Sequence, residues 1–494
     1  LIKGGVFILY VKRRTLFVML LLVVVSTSIV TLAAAKFFGQ GFGQNGTRVP
    51  EGQAASGQAV PQNPDFAKVY EAYQLIENTA LEKQDKAKLI DGAIEGMVKT
   101  LDDPFSDYMN QKETKDFNSS LQSTFEGIGA EVTLKNDRVT IVSPIKGSPA
   151  EKAGLRPEDQ ILKVNGKSLQ GMSLSDAVMH IRGPKGTKAE LEIMRPGLSE
   201  PLRIVVIRDD IPIETVYSET IQRDGKTFGK LEITQFSQDT AKHFANELQK
   251  LEEKGIDGLI VDVRGNPGGL LDSVVEIGNL LVPDKGIILQ IQYSDGKKEV
   301  FRSEKGKAAY PIVVLTDKGS ASASEILAAA LQSSGYKVVG TNTFGKGTVQ
   351  NTMPLEDDSQ LKITVAKWLT PDGTWIHKKG VIPDVKIEQP DYFKAVLLPD
   401  GVELKRDMTS SDVKNLQLIL KGLGQAPGRM DGYFDARTEA AVKIFQNLHQ
   451  LPMTGKVDKK TAGLMQEELI KRIRDPKNDL QLQAAIEVLS QQTN

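Results

Sequence analysis

The chain has 494 residues, with 62 Lys and Arg against 63 Asp and Glu, no Cys and four His. A formal net charge of −1, with 25% charged and 40% hydrophobic residues, excludes a chain-wide electrostatic affinity for nucleic acid and excludes general disorder, and at ~150 residues per domain the length predicts about three folded units. The missing Cys removes disulfides, thiolate metal sites and a Cys nucleophile; with only His180, His243, His377 and His449, a serine hydrolase built on this chain calls for a base other than histidine.

Residues 15–35 carry no charge and span ~31 Å as a helix at ~1.5 Å per residue, enough for a hydrocarbon core. Lys3, Lys12, Arg13 and Arg14 precede them and only Lys36 follows closely. The positive-inside rule then leaves the N-terminus cytoplasmic and exports the rest. The end Ala33-Ala34-Ala35 is compatible with leader cleavage and the length with an anchor, so residues 1–36 are read as a signal or membrane-anchor segment. Residues 37–64, rich in Gly, Gln, Ser and Pro, read as a flexible linker. In 65–118, Val69, Ala72, Tyr73 and Ile76 form one apolar helical stripe and Leu89, Ala93, Ile94, Met97 and Leu101 another, closed by Asp102-Asp103-Pro104. Such a pair has to pack on something or dimerise.

Over 119–208 the texture changes to short β-branched runs at 139–142, 161–164 and 202–207, with a short helix at 172–181. The run 143–166 places Pro149 at a helix start, Gly154 at its end, and Asn165-Gly166 at a hairpin turn. Successive amides around Gly127, Ile128 and Gly129 form a candidate nest for a terminal carboxylate. Over 209–395 the nearly all-apolar strands 259–263 and 312–315 alternate with helices at 239–253 and 322–333, an α/β pattern. A linker at 396–408 leads to 409–470, where helical stripes flank a repeat: Gly432-Tyr-Phe-Asp435-Ala-Arg-Thr438 returns as Gly455-Lys-Val-Asp458-Lys-Lys-Thr461. A charged tail, 471–494, follows.

Three stretches of the α/β region carry chemistry. Gly319-Ser320-Ala321-Ser322-Ala323-Ser324-Glu325-Ile326 reads either as a helix start, capped by Ser320 or Ser322 with Glu325 in the first turn, or as a nucleophile turn. Phe344-Gly345-Lys346-Gly347-Thr348-Val349-Gln350 reads as a glycine turn entering a strand. Asp262-Val-Arg-Gly-Asn-Pro-Gly268-Gly269 ends a buried strand with amides suited to an oxyanion hole. All three sit at strand ends, where open α/β sheets place their crevices.

The segment 119–208 resembles a PDZ domain. Together with D-V-R-G-N-P-G-G, S-A-S-A-S-E-I and F-G-K-G-T-V-Q in that order, it resembles the carboxy-terminal processing (tail-specific) serine peptidases over about 65–390. The resemblance implies Ser322 as nucleophile, Lys346 as general base and Gln350 as its orienting partner, with no cofactor and no metal. It also implies a PDZ domain that captures protein C-termini and gates the protease, with Arg182 a candidate relay; the alternative for Arg182 is a solvated loop arginine. The stretch 331–337 is one residue shorter than the family pattern, which leaves open which serine of 320–324 is placed to attack. A lysine base has to lose its charge, and an apolar, carboxylate-poor setting does that by desolvation. Residues 409–470 resemble the peptidoglycan-binding domain of cell-wall proteins, and 65–118 the family's dimerisation region. The expected whole is a multidomain α/β protein: N-terminal helices, a β-rich PDZ domain, an α/β serine-lysine protease core and a small all-α C-terminal domain. It would be extracytoplasmic and wall-associated, membrane-anchored through its N-terminal segment or secreted, a homodimer, and without nucleic-acid partners. A catalytically silent PDZ scaffold and a cell-wall hydrolase are the competing readings, the latter lacking a positioned carboxylate pair.

Overall fold

The computed structural model describes residues 64–493, apart from 84, 123, 136, 146, 305–308, 400 and 401. The apolar segment 15–35 lies outside the described residues; among those described, no helix is long and apolar enough to cross a membrane. The first elements are two helices, Pro64–Thr79 and Lys86–Lys99, the second started by Asp85 accepting from the Ala87 N–H. Their apolar stripes face outward: Ile76 is 44% and Met97 47% exposed. Only Val98 of the second helix is buried, and Tyr108 Oη donates to Asp91 Oδ1 at 2.7 Å. The chain then runs through a short strand, Asp107–Met109, into a helix, Gln111–Leu121, closed by a reciprocal Asn110/Glu113 capping box.

The PDZ unit is an antiparallel sheet in which Ala130–Lys135, Arg138–Pro144, Gln160–Val164, Lys188–Met194 and Leu202–Ile207 are neighbours in that order. Burial alternates along 188–194, as a half-buried strand requires, and Ile141, Ile161, Leu191 and Ile193 fill the core under the helix Leu174–Ile181. Pro149 starts the helix Pro149–Lys152, and Asn165 and Gly166 both adopt positive φ in the hairpin turn, as the sequence predicts. Strand Ala130–Lys135 is an edge, paired only to Arg138–Pro144, and follows directly on the Gly127–Gly129 turn.

The α/β core holds two sheets. One is six-stranded in the order Val216–Arg223, Lys226–Ile233, Gly258–Asp262, Ile312–Thr316, Lys337–Gly340, Val385–Lys386, parallel after its first pair. Helices Thr240–Glu253, Leu271–Leu281 and Ala323–Ser333 bury Leu259, Val261, Ile312 and Val314 on one face. The second sheet is antiparallel and was not evident from the sequence. It joins Asp107–Met109, Gln360–Leu369, Ile287–Tyr293 and Lys298–Arg302, with Thr348–Pro354 also paired to Gln360–Leu369.

The C-terminal module has helices Ser411–Gly422, Ala436–Leu448 and Lys459–Arg474 around Leu416, Leu420, Phe434, Val442 and Phe445. The repeat is functional at the level of folding: Asp435 and Asp458 cap the second and third helices, and buried Gln417 and Gln446 accept from the Gly432 and Gly455 N–H groups. The linker 396–408 is partly docked on this module, since Leu404 is buried and bridged to Val457. Where the sequence suggests a charged tail, the chain instead forms a helix, Leu480–Gln492, on the other face of the parallel sheet. Leu482, Ile486 and Leu489 bury Phe228, Ile260, Val313 and Val339 there, and Arg264 clamps the helix start through Asp479 at 2.8 and 2.9 Å. The apolar positions 482, 485, 486 and 489 have helical spacing but stand among enough Gln to hide the stripe. Replacing fully buried Leu489 by Ala is therefore expected to destabilise the core by about 2–5 kcal/mol, read as a lower denaturant midpoint by far-UV circular dichroism; an unchanged midpoint would show the helix to be dispensable.

Candidate active site

Three loops converge at the C-terminal ends of the parallel strands. Ile312–Thr316 leads into the serine turn, Lys337–Gly340 into the lysine loop, and Gly258–Asp262 into the glycine-rich turn. Among the three serines, hydrogen bonding separates structural from available hydroxyls. Ser320 Oγ donates to the Val263 carbonyl at 2.8 Å and Ser324 Oγ to the Asn266 carbonyl at 2.9 Å. Ser322 Oγ is buried with no hydrogen-bond partner. Ser322 also has φ +54°, a strained setting for a side-chain-bearing residue of the kind that functional turns retain. Of the three serines, Ser322 is thus the one with the uncommitted hydroxyl.

Glu325 is more than a first-turn acid. Its Oε2 accepts from the Ser322 N–H at 2.9 Å and the Lys346 N–H at 2.8 Å, and its Oε1 from the Gly345 N–H at 2.7 Å and Thr343 Oγ1 at 2.5 Å. One carboxyl group thus ties the serine turn to the lysine loop. Burial pushes this carboxyl above the usual range, against the donors that hold it down.

Lys346 is fully buried, and its amine is pushed down to about 7. Burial is the largest cause; the neighbouring Lys362 ammonium adds to it, and Glu325 and Asp103 act the other way. Phe105 places its ring centroid 5.0 Å from Lys346 Nζ. The Lys346 carbonyl accepts from Trp368 Nε1 at 2.7 Å, which fixes the loop. Gln350 is buried too; its Nε2 donates to Thr348 Oγ1 and Thr364 Oγ1, both at 2.9 Å, which leaves Oε1 as the end available to an amine.

The two candidate oxyanion glycines differ. Gly268 lies against the serine: a Cβ there would stand 2.9 Å from Ser322 Cβ and 2.8 Å from the Ala321 carbonyl, so only glycine fits, and its φ is +105°. Its N–H, however, already donates to Asn266 Oδ1 at 2.8 Å. Gly269 is bridged to Phe236 instead. Asn266 was overlooked as a site residue; fully buried, it also donates to the Ile233 carbonyl and accepts from the Ala321 N–H, so it braces the glycine turn against the serine turn. Asp103, Phe105, Thr364 and Lys362 were missed as well, because they come from chain segments without a motif.

In the PDZ unit, Gly129 has φ +75° and a Cβ there would overlap Ser148 Cβ at 2.4 Å. The Ile128 carbonyl accepts from the Ala150 N–H, and Gly129 O from Ser148 Oγ, so the short helix holds the turn that contains Gly127. Arg182 caps the helix Leu174–Ile181 and lays its guanidinium 4.6 Å from the Phe125 ring centroid, beside Gly127. It thus borders the Gly127–Gly129 turn, and among the described residues no side-chain hydrogen bond carries it to the α/β core. A charged cavity of about 780 Å³ behind the sheet, lined by Lys230, Asp262, Arg264 and Asp479, excludes both Ser322 and Lys346. Among the described residues no His, Asp and Glu cluster could hold a metal ion.

Known proteins resemble this chain in the same segments. Residues 227–387 match Peptidase family S41, 140–195 a PDZ domain, 409–465 a peptidoglycan binding domain and 28–114 the N-terminal domain of the activating protease CtpB. The chain is 49% identical over 424 residues to carboxy-terminal processing protease CtpB of Bacillus subtilis, covering 85% of this chain and 88% of that protein. It is 46% identical over 429 residues to CtpA of the same organism, covering 86% and 91%. Among solved structures, a photosystem II D1 C-terminal processing protease is 29% identical with a TM-score of 0.40, covering 68% of this chain and 95% of that one.

A buried lysine that would be charged in the unfolded chain weakens the fold until it deprotonates. The folded value near 7 lies below the ordinary 10.5, so the penalty is complete below pH 7 and fades as pH rises toward the unfolded value. Lys346→Met is expected to stabilise the protein at pH 6 by ~5 kcal/mol, at ~1.4 kcal/mol for each tenfold change in proton affinity, with the gain vanishing near pH 10.5. Denaturant melts across pH measure this; a gain independent of pH would mean that the amine is charged in the folded state.

Proposed function

Because this chain belongs to the carboxy-terminal processing proteases of peptidase family S41, we propose that it cleaves proteins near exposed C-termini with Ser322 as nucleophile and Lys346 as general base. The observation that carries this reading is the pairing of one uncommitted, buried serine hydroxyl with a lysine whose amine is half neutral at about pH 7, both fastened to Glu325. The neutral Lys346 amine takes the Ser322 Oγ proton as Oγ attacks the peptide carbonyl carbon. The resulting ammonium gives that proton to the leaving amide nitrogen, and the C–N bond breaks to leave an acyl-serine. Water, deprotonated by the same amine, then attacks the ester and frees Ser322. Gln350 Oε1 orients the amine. The oxyanion draws on the Gly268–Gly269 turn, once the Gly268 N–H exchanges Asn266 Oδ1 for substrate, and on the Ala323 N–H, which the helix's own ladder does not use.

The PDZ unit, on this reading, adds the substrate tail as a strand to the open edge Ala130–Lys135, with its terminal carboxylate at Gly127–Gly129. Arg182, beside that turn, is positioned to sense the carboxylate and serve as the relay. The outward apolar stripes of Pro64–Thr79 and Lys86–Lys99 take a second copy of this chain, making a homodimer. Residues 409–470 tether the enzyme to peptidoglycan, which makes it extracytoplasmic and wall-associated, attached to the membrane or released from it according to the fate of residues 15–35. No observation favours the silent scaffold.

With a disordered peptide as substrate and fragments read by mass spectrometry, Ser322→Ala and Lys346→Ala are each expected to lower turnover by ~10³-fold or more while circular dichroism stays unchanged. Turnover by either variant at the parent rate would remove the proposal. Since the base has to be neutral, kcat/KM of the parent is expected to rise with pH through an acid limb near 7; a limb near the ordinary lysine value would contradict it.

A further inference from the structure

The arm that leaves the N-terminal helices does more than connect them to the protease. It runs antiparallel to strand Gln360–Leu369, with Asp107 opposite Lys362 and Met109 opposite Gln360. Just before this pairing, Asp103 Oδ2 accepts from Thr364 Oγ1 at 2.5 Å and from Ser106 Oγ at 2.6 Å, and Ser106 Oγ in turn accepts from the Thr364 N–H at 3.0 Å. Asp103 Oδ1 accepts from the Phe105 N–H at 3.1 Å, which sets the ring that covers the lysine amine. Two residues of the arm, Asp103 and Ser106, are thus bound to Thr364, one of the two threonines that Gln350 touches.

We infer that Asp103 is a positioning residue for the lysine base, acting through Thr364 to fix which end of the Gln350 amide faces Lys346. The inference rests on the assignment of Lys346 and Gln350 made above. Its logic is a matter of donors and acceptors. An ionised carboxylate can only accept, so Thr364 has to give its single hydroxyl proton to Asp103. The Thr364 oxygen can then only accept from Gln350, which turns Nε2 toward the threonines and Oε1 toward an amine. Burial pushes the Asp103 carboxyl up, but hydrogen bonds from Ser106, Thr364 and the Phe105 N–H together hold it below its ordinary range, so the polarity holds at neutral pH. A wrongly turned amide would present N–H, which would occupy the lone pair that a neutral amine needs for the serine proton and which an ammonium cannot accept. Because Asp103 follows directly on the helix Lys86–Lys99, this orientation depends on how the N-terminal helices are seated.

Asp103→Asn tests the point, since an amide can both donate and accept and so releases Thr364. The charged groups around the amine are Lys362 on the neighbouring strand, Glu325 on the serine helix and Asp103 on the arm, with Asp107 beside Lys362 and His377 facing Asp103. Of these, Asp103 favours the ammonium, so its neutralisation is expected to move the acid limb of kcat/KM to lower pH. In the same variant kcat is expected to fall ~10- to 100-fold with KM within about twofold. Thr364→Val, which cuts the same path and keeps the charge, is expected to lower kcat equally with the limb in place. The double variant is expected to be no slower than the slower single one by more than about threefold. A parent-like kcat in Asp103→Asn, or losses that multiply in the double variant, would overturn the inference. Ser322→Ala assayed alongside separates the two levels: an active Ser322→Ala defeats the serine assignment itself, whereas an inactive one together with either adverse result defeats only the role of Asp103.

Discussion

An ammonium taken out of water without compensation loses several kcal/mol, and the protease core is organised around a lysine under that constraint. Lys346 sits beneath Phe105, on a loop held by Trp368 and Glu325, with the Lys362 charge close enough to oppose its own. Burial and the Lys362 charge disfavour the ammonium, and outweigh Glu325 and Asp103, which favour it. Glu325 reconciles this with the need for a nearby serine. Because its oxygens are engaged by three backbone N–H groups and one hydroxyl, it joins the two loops mechanically while its charge is shared among donors. The acid that could have re-protonated the lysine is instead the joint that aligns it.

The same economy explains the crowding of small residues. Gly268 touches Ser322 so closely that any side chain would displace the serine turn, and buried Asn266 ties the two turns together with five hydrogen bonds. The strain at Ser322 persists because its neighbours on both sides, Ser320 and Ser324, are anchored to the carbonyls of Val263 and Asn266. Three similar serines therefore perform different jobs: two anchor, and the one between them keeps its hydroxyl.

What could be read from the sequence follows from how local each signal is. Ser322, Lys346, Gln350 and the glycine turn lie in short runs that announce themselves, and the PDZ unit shows its turns, helix starts and strands in order. The alternation in 188–194 and the all-apolar 259–263 gave strands because their burial is uniform along the element. Glu325 was visible only as a helix-start acid, since three of its four donors arrive from residues 343–346. Asp103 and Phe105 carry no motif, and their partners lie some 250 residues away in the chain. The final helix was hidden by a Gln-rich surface around four apolar positions, and the antiparallel sheet by strands drawn from five separate segments. Long-range hydrogen bonds leave no periodicity to detect.

The modules meet at the same site from different directions. The N-terminal arm reaches Lys346 through Phe105 and its supporting strand through Asp103, and the C-terminal helix returns to the back of the sheet, clamped by Arg264 next to the glycine turn. The segment that matches a peptidoglycan binding domain thus lies in the chain between the core and a helix that packs back on it. The account stands on the charge state of one amine, and the most direct test is to titrate it. With ¹³C-labelled lysine and Lys346→Arg to assign the signal, NMR should show the Lys346 side chain titrating near pH 7, far below the exposed lysines. A Lys346 signal that stays protonated to pH 10 would contradict the account at its base.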